Sequence, residues 1–355
     1  MYTQSLNGEW KFRQVGTQDW LPATVPGCNF TDLMRCGSIP DPFIGENEKL
    51  VQWVAEKDWE YQCSFSVNPA LLEQECIELV CGGLDTLAEV HLNGVLLGRT
   101  DNMFRQYRWR VEYLLKPSEN TLTILFRSPV AYLRDRQNAH PLPSLMNEGM
   151  AHLRKVHSHF GWDWGPRLPI SGIWRDIWLE GSNTARFADK LIHQDHAPGL
   201  VKLPVSARCS VWQATNLYLS ITLTTPDGFK TQLSTPILGD QASLSLDIPD
   251  PHLWWVNGLG AQPLYQLEAA LLSGVQLLDQ RSFKIGLRSL KLIRQPDTWG
   301  ESFTFVINDI PFFAKGANWI PADSFPTRLT QEKLEHLIKS AASANMNMLR
   351  VWGGG

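Results

Sequence analysis

The 355-residue sequence predicts a mainly β protein built as two consecutive β-sandwiches followed by a short strand–helix–strand unit. Three observations carry this. Apolar and polar residues alternate with period two in many short runs. Clusters of Gly, Pro, Asn and Asp separate those runs. No strong helical period interrupts the pattern before about residue 180, and the helical face that stands out comes only after Thr330.

In the first segment, Glu89-Val90-His91-Leu92 alternates, Asn93-Gly94 supplies a hairpin turn, and Val95-Leu96-Leu97 returns. Leu122, Ile124 and Phe126 share one face of the next run. A second β segment begins near Asn183. There Leu217, Leu219, Ile221 and Leu223 share a face, Pro226-Asp227-Gly228 turns the chain, and Ser243-Leu244-Ser245-Leu246 repeats the alternation. Short strands with Pro/Gly turns over this length suit an immunoglobulin-like sandwich. Near residue 300 the pattern changes. Phe303–Val306 and Phe312–Ala314 are expected strands, and Thr330 caps a helix whose face is Leu334, Leu337, Ile338 and Ala341. Met346–Val351 is again strand, so the segment is a βαβ unit.

Composition narrows the partners. Lys and Arg number 32 against 36 Asp and Glu, a formal charge of -4, which gives no reason to expect nucleic acid or an anionic membrane. No apolar stretch is long enough to span a bilayer. The first twenty residues lack the apolar core of a secretory signal, so a cytoplasmic protein is expected. None of the six cysteines forms a C-x-x-C pair, and no histidines accompany them at zinc spacing; buried free thiols are expected, with no metal and no cofactor. The 15 Trp are the unusual count: each offers a large apolar face of the kind that suits the C–H face of a sugar ring, although most are expected in the cores.

Several motifs carry chemistry. Leu6-Asn7-Gly8-Glu9-Trp10-Lys11-Phe12, Val25-Pro26-Gly27 and Val90–Gly94 resemble the sugar-binding domain of glycoside hydrolase family 2, though taken singly each is an ordinary sandwich strand or turn. Phe160-Gly161-Trp162-Asp163-Trp164-Gly165-Pro166-Arg167 is more specific. Glycine and proline set a loop shape, while Trp and Asp offer a stacking face and a hydroxyl acceptor. It resembles the loop of the β-mannosidases in that family, with Arg154-Lys155 before it and Gly172–Arg175 after it. Leu253-Trp254-Trp255 and the run to Tyr265 resemble the second-domain signature, with Val256 where Pro is usual; these residues are read as structural. Asn308–Pro321 resembles the start of the catalytic barrel, with Asp309 where Gly is usual. Arg350-Val351-Trp352-Gly353-Gly354-Gly355 is the β-mannosidase pattern at the end of the second barrel strand, where β-galactosidases and β-glucuronidases differ.

The resemblance, which covers essentially the whole chain, implies a jelly-roll-like sandwich over residues 1–182 and an immunoglobulin-like sandwich over 183–295. It implies the first two strands of an incomplete (β/α)8 barrel over 296–355. It further implies a retaining exo-β-mannosidase acting on a β-mannoside oligosaccharide or glycan, with Trp162, Asp163, Arg350 and Trp352 binding the terminal sugar. The alternatives are a Trp-rich interdomain plug for the loop, with Trp164 the stronger case, and packing roles for Arg350 and Trp352. His157 and His159, which flank the loop, are read as packed or surface residues.

Retaining glycosidases need two carboxyl groups roughly 5–5.5 Å apart. The family's two glutamates are expected beyond Gly355, and neither Asp163, Glu301 nor Asp323 matches them. The chain therefore carries no expected catalytic residue and by itself is expected to be inactive. A non-catalytic carbohydrate-binding fragment, a remnant of a disrupted gene, or another family 2 glycosidase such as a β-galactosidase or β-glucuronidase are the other readings.

Overall fold

The computed structural model describes residues 2–143, 149–213 and 215–354. By compactness the chain forms two units: residues 2–181 with 319–335 and 351–354, and residues 182–318 with 336–350. Residues 296–354 are thus shared between the units.

The first unit is built on two sheets. One has six antiparallel strands in the order Leu21–Val25, Gly8–Gln14, Trp59–Phe65, Asn120–Phe126, Ala88–Leu92, Val95–Thr100. The other has four, in the order Tyr2–Ser5, Ile177–Ser182, Cys76–Cys81, Tyr107–Arg110. Residues of both sheets share one core, in which Phe12, Tyr61, Leu122 and Ile124 meet Ile77, Leu79 and Ile177. Leu122, Ile124 and Phe126 are fully buried, as their alternation predicts, and each such burial stabilises by about 1.5–3 kcal/mol. The buried indoles keep their donors satisfied: Trp10 Nε1 donates to Leu6 O at 2.8 Å and Trp59 Nε1 to Val54 O at 2.9 Å. Asn93, at a left-handed φ of 52°, turns the expected hairpin, with Leu92 opposite Val95.

The absence of a helical period before residue 180 proves a poor guide. Pro129–Ala139 is an 11-residue helix in which only Pro129 and Leu133 are buried, so no apolar stripe marks it. Its start is local instead: Ser128 Oγ accepts from Ala131 N at 3.0 Å, and Pro129 occupies the first turn. The short helix Asn29–Arg35 was equally silent. It buries Asp32, whose Oδ2 accepts from the Tyr61 hydroxyl at 3.0 Å and whose Oδ1 accepts from Thr24 N at 3.2 Å.

The second unit contains the other sandwich. Leu200–Val211 pairs with Ala185–Ile192, Asp195–Ala197 and Gln241–Pro249, all antiparallel. The facing sheet runs Lys230–Pro236, Leu217–Thr224, Tyr265–Ser273, Gln276–Ile285. Leu217, Leu219, Ile221 and Leu223 are all buried in the shared core with Leu203, Val205 and Leu246. A further antiparallel sheet, Leu290–Ile293, Thr304–Ile307 and Ile310–Phe312, turns at Asn308 and Asp309. Both take positive φ, 48° and 65°, a conformation that Asn and Asp tolerate. Gly316–Trp319 and Met348–Val351 form a two-stranded sheet, joined in sequence through the helix Gln331–Ser343. Thr330 Oγ1 accepts from Lys333 N at 3.2 Å, the expected cap. No residue of this helix is buried. Among the described residues no helix is long and apolar enough to cross a membrane.

Candidate functional site

The distinctive loop is a hairpin standing on a polar foundation. Phe160–Trp162 pairs with Gly165–Arg167, Trp162 opposite Gly165, so Asp163 and Trp164 form the two-residue tip. Asp163 is exposed and Trp164 is 37% exposed. The base is held from several directions. Arg167 N donates to Glu48 Oε1 and Arg167 Nη1 to Gln52 Oε1, both at 2.7 Å, and Gln52 Nε2 returns a bond to Arg167 O at 2.9 Å. Leu168 N donates to His159 O at 2.8 Å, and Phe160 is buried beneath.

Below this lies a buried ion pair. Lys155 Nζ donates to both Asp85 carboxylate oxygens at 2.6 Å and to Ile170 O at 2.9 Å, using all three ammonium protons. Burial nevertheless lowers the Lys155 pKa, with Asp85 opposing that shift. His159 is buried beside them and is held neutral: burial, and then the Lys155 charge, keep its pKa well below the ordinary histidine value. It bonds the backbone of Ser324, and its Nδ1 lies 3.8 Å from Asp85 Oδ2 without a hydrogen-bond partner.

The Trp352 side chain reaches the hairpin. Its ring meets Trp162 edge-on at 4.8 Å between centroids and Trp164 at 5.5 Å. Ser158 N donates to Gly354 O at 3.1 Å, and Trp352 N to Trp319 O at 2.9 Å. A Cβ at Gly354 would overlap the outer edge of the Trp352 ring, so the ring keeps this position only beside glycine. Gly355, the last residue of that pattern, lies outside the described residues. Nearby, fully buried Phe325 packs against Phe30 and Phe43, and Arg328 lies over both Phe43 and Phe325.

Of the four expected sugar-binding residues, Trp162, Asp163 and Trp352 thus share one hairpin and its flank. Arg350 falls in the other compact unit, exposed, where its Nη1 donates to Asn318 Oδ1 at 3.1 Å. Trp164 joins Trp162 on Trp352, a contact its sequence position did not announce. Asp85 also gave no signal, since it lies seventy residues from Lys155 in an unremarkable strand. His159 is packed and His157 exposed. The six cysteines are free thiols, and burial pushes the Cys28 and Cys63 thiols up to about 12, far from nucleophilic readiness. Among the described residues no three His, Cys, Asp or Glu side chains converge as a metal site. Chemically, the hairpin offers aromatic C–H and π surface beside an exposed carboxylate, a combination that stacks on a ring and accepts from hydroxyls.

Comparison with known proteins bears on the same residues. Residues 10–175 match the family described as glycosyl hydrolase 2 galactose-binding domain-like, and residues 188–288 match glycosyl hydrolases family 2. The β-mannosidase of Rattus norvegicus is 34% identical over 381 aligned residues, covering 99% of this chain and 42% of that protein. β-Mannosidase B of Emericella nidulans is 36% identical, covering 100% and 43%. The crystal structure of a β-D-mannosidase from Dictyoglomus thermophilum superimposes with a TM-score of 0.96 at 39% identity, over 100% of this chain and 44% of that one. An exo-chitosanase of Amycolatopsis orientalis, at 17% identity and a TM-score of 0.76 over 99% of this chain and 41% of that one, shares the fold. The chain spans less than half the length of the curated relatives it matches.

Proposed function

We propose that this chain, which belongs to glycosyl hydrolase family 2, supplies the substrate-side part of a retaining exo-β-mannosidase that releases terminal non-reducing β-D-mannose. The observation that carries the reading is the hairpin tip: Asp163 projects beside Trp162, and Trp162 and Trp164 both abut Trp352. A terminal mannose would lay its C–H face on this indole surface and donate hydroxyl protons to the Asp163 carboxylate. The nucleophile and the acid/base would come from outside residues 1–355, two carboxyl groups flanking the glycosidic bond.

The division of labour has a physical basis. Sugar hydroxyls need charged or amide partners fixed in place, while the carboxyl pair needs its own spacing and proton balance. A hairpin anchored by a buried ion pair and a Trp cluster meets the first need. The test is glycoside preference. The whole gene product should hydrolyse p-nitrophenyl β-D-mannoside in preference to the β-galactoside, β-glucoside and β-glucuronide. Preference for another glycone would replace this reading with a different family 2 activity. Residues 1–355 expressed by themselves should give turnover equal to that of a mock-purified control.

A further inference from the structure

We propose that the first sandwich carries a second carbohydrate site, an aromatic pocket framed by Phe104, Trp174 and Trp178 with Arg175 and Asp176 at its polar edge. It would take one pyranose of a neutral oligosaccharide. It shares no residue with the hairpin site and goes beyond the reading given for that site.

The pocket has a volume of about 550 Å³, within the rough 300–1,000 Å³ range of small-molecule sites. Its walls are set before any ligand arrives. Gly82 N donates to Asp176 O at 2.9 Å, and Trp174 N to Gly83 O at 3.2 Å. A side chain at Gly83 would strike the Trp174 indole, so the strand and the ring approach only because glycine is there. Trp174 Nε1 is committed to Met103 O at 3.0 Å, and Trp178 Nε1 to Glu180 Oε2 at 3.2 Å. Both indoles are therefore oriented, with their N–H donors already committed to the protein. Phe104 adds more, with half of its area in solvent. Preset walls reduce the ordering cost of binding.

The polar edge identifies the ligand. Asp176 Oδ1 accepts from Asn7 Nδ2 at 2.9 Å, while Oδ2 has no hydrogen-bond partner among the described residues. Arg175 lies with its guanidinium 4.2 Å from the Trp174 ring centroid. Its N–H groups have no hydrogen-bond or ion-pair partner among the described residues. A fork of donors and an acceptor thus sit on adjacent residues beside aromatic faces. One cation and one anion make the edge neutral, which disfavours a charged ligand. A purely apolar ligand would desolvate both charges without replacing their water. A pyranose satisfies both demands, with C–H groups for the rings and neighbouring hydroxyls for the carboxylate and guanidinium. Pro326 and Thr327 also line the pocket.

The experiment uses residues 1–355 carrying Asp163→Ala, to silence the hairpin, with β-1,4-mannobiose and cellobiose as probes. Calorimetric titration and saturation-transfer NMR should show saturable binding of at least one disaccharide, with a Kd on the order of 0.1–10 mM. Adding Arg175→Ala or Phe104→Ala, both at exposed positions, should weaken it at least about tenfold, with far-ultraviolet circular dichroism unchanged. Binding of neither disaccharide in the Asp163→Ala background would overturn the proposal. So would binding indifferent to both pocket substitutions. Neither result bears on the hairpin reading, which is tested by glycoside hydrolysis.

Discussion

Lys155 grips both carboxylate oxygens of Asp85 at 2.6 Å, and the two side chains are 1% and 0% exposed. A buried pair of this kind gains little net stability, because desolvation offsets attraction, but removing one partner strands the other charge. Lys155→Met should therefore cost about 3–5 kcal/mol in chemical denaturation. Combining it with Asp85→Asn should recover part of that loss. A double variant as unstable as the single one would show that the Lys155 contacts, and not an unpaired carboxylate, set the cost.

Asp32 predicts a pH dependence. Burial raises its pKa from 3.8 to about 6, against the lowering effects of Thr24, Tyr61 and Arg35. A raised carboxyl contributes stability that is present below pH 3.8 and is lost as pH rises through about 6. The wild-type stability minus that of Asp32→Asn should fall by about 3 kcal/mol across this window and level off above it. His159, whose depressed pKa acts in the opposite direction, is present in both proteins and cancels. A pH-independent difference would mean that Asp32 titrates as an ordinary carboxylate.

Gly354→Ala should displace the Trp352 ring, because the added methyl overlaps it. Trp352 would then lose its edge contacts with Trp162 and Trp164, each worth about 0.5–1.5 kcal/mol. The expected signs are an altered near-ultraviolet circular dichroism spectrum and little change in far-ultraviolet signal. An unaltered near-ultraviolet spectrum would place Trp352 outside the cluster in solution.

In a full-length enzyme such as that of Dictyoglomus thermophilum, alanine at the position aligned with Asp163 should lower kcat/KM for β-mannosides. One to two orders of magnitude is expected, about 1.5–3 kcal/mol of lost charged hydrogen bonding. Thermal stability should hold, since Asp163 is an exposed tip residue. Wild-type kcat/KM in that variant, or unfolding, would make the hairpin a structural plug.

The helix Gln331–Ser343 buries none of its residues, and Ile338 is 47% exposed. Such an element opens at low cost. Limited trypsin digestion of residues 1–355 should cut first after exposed Lys333 and Lys339, before either sandwich. Simultaneous cleavage throughout the chain would argue against this order of stability.

Periodicity made the sandwich strands legible. Leu122, Ile124 and Phe126, and then Leu217 to Leu223, announce their buried faces because a strand alternates sides with every residue. The loop motif is legible for a different reason: Gly161, Gly165 and Pro166 fix a loop shape, and the structure sets Asp163 at its tip. Helix Pro129–Ala139 is not legible from periodicity, because its signals are a cap and a proline and not an apolar stripe. Only the tertiary structure paired Lys155 with Asp85, set Trp164 on Trp352, and assembled Phe104 with Trp174 and Trp178 around one cavity. Local sequence specifies dihedral preferences and facing. Contacts between residues seventy or more positions apart depend on which strands become neighbours in a sheet, and no single stretch of chain encodes that.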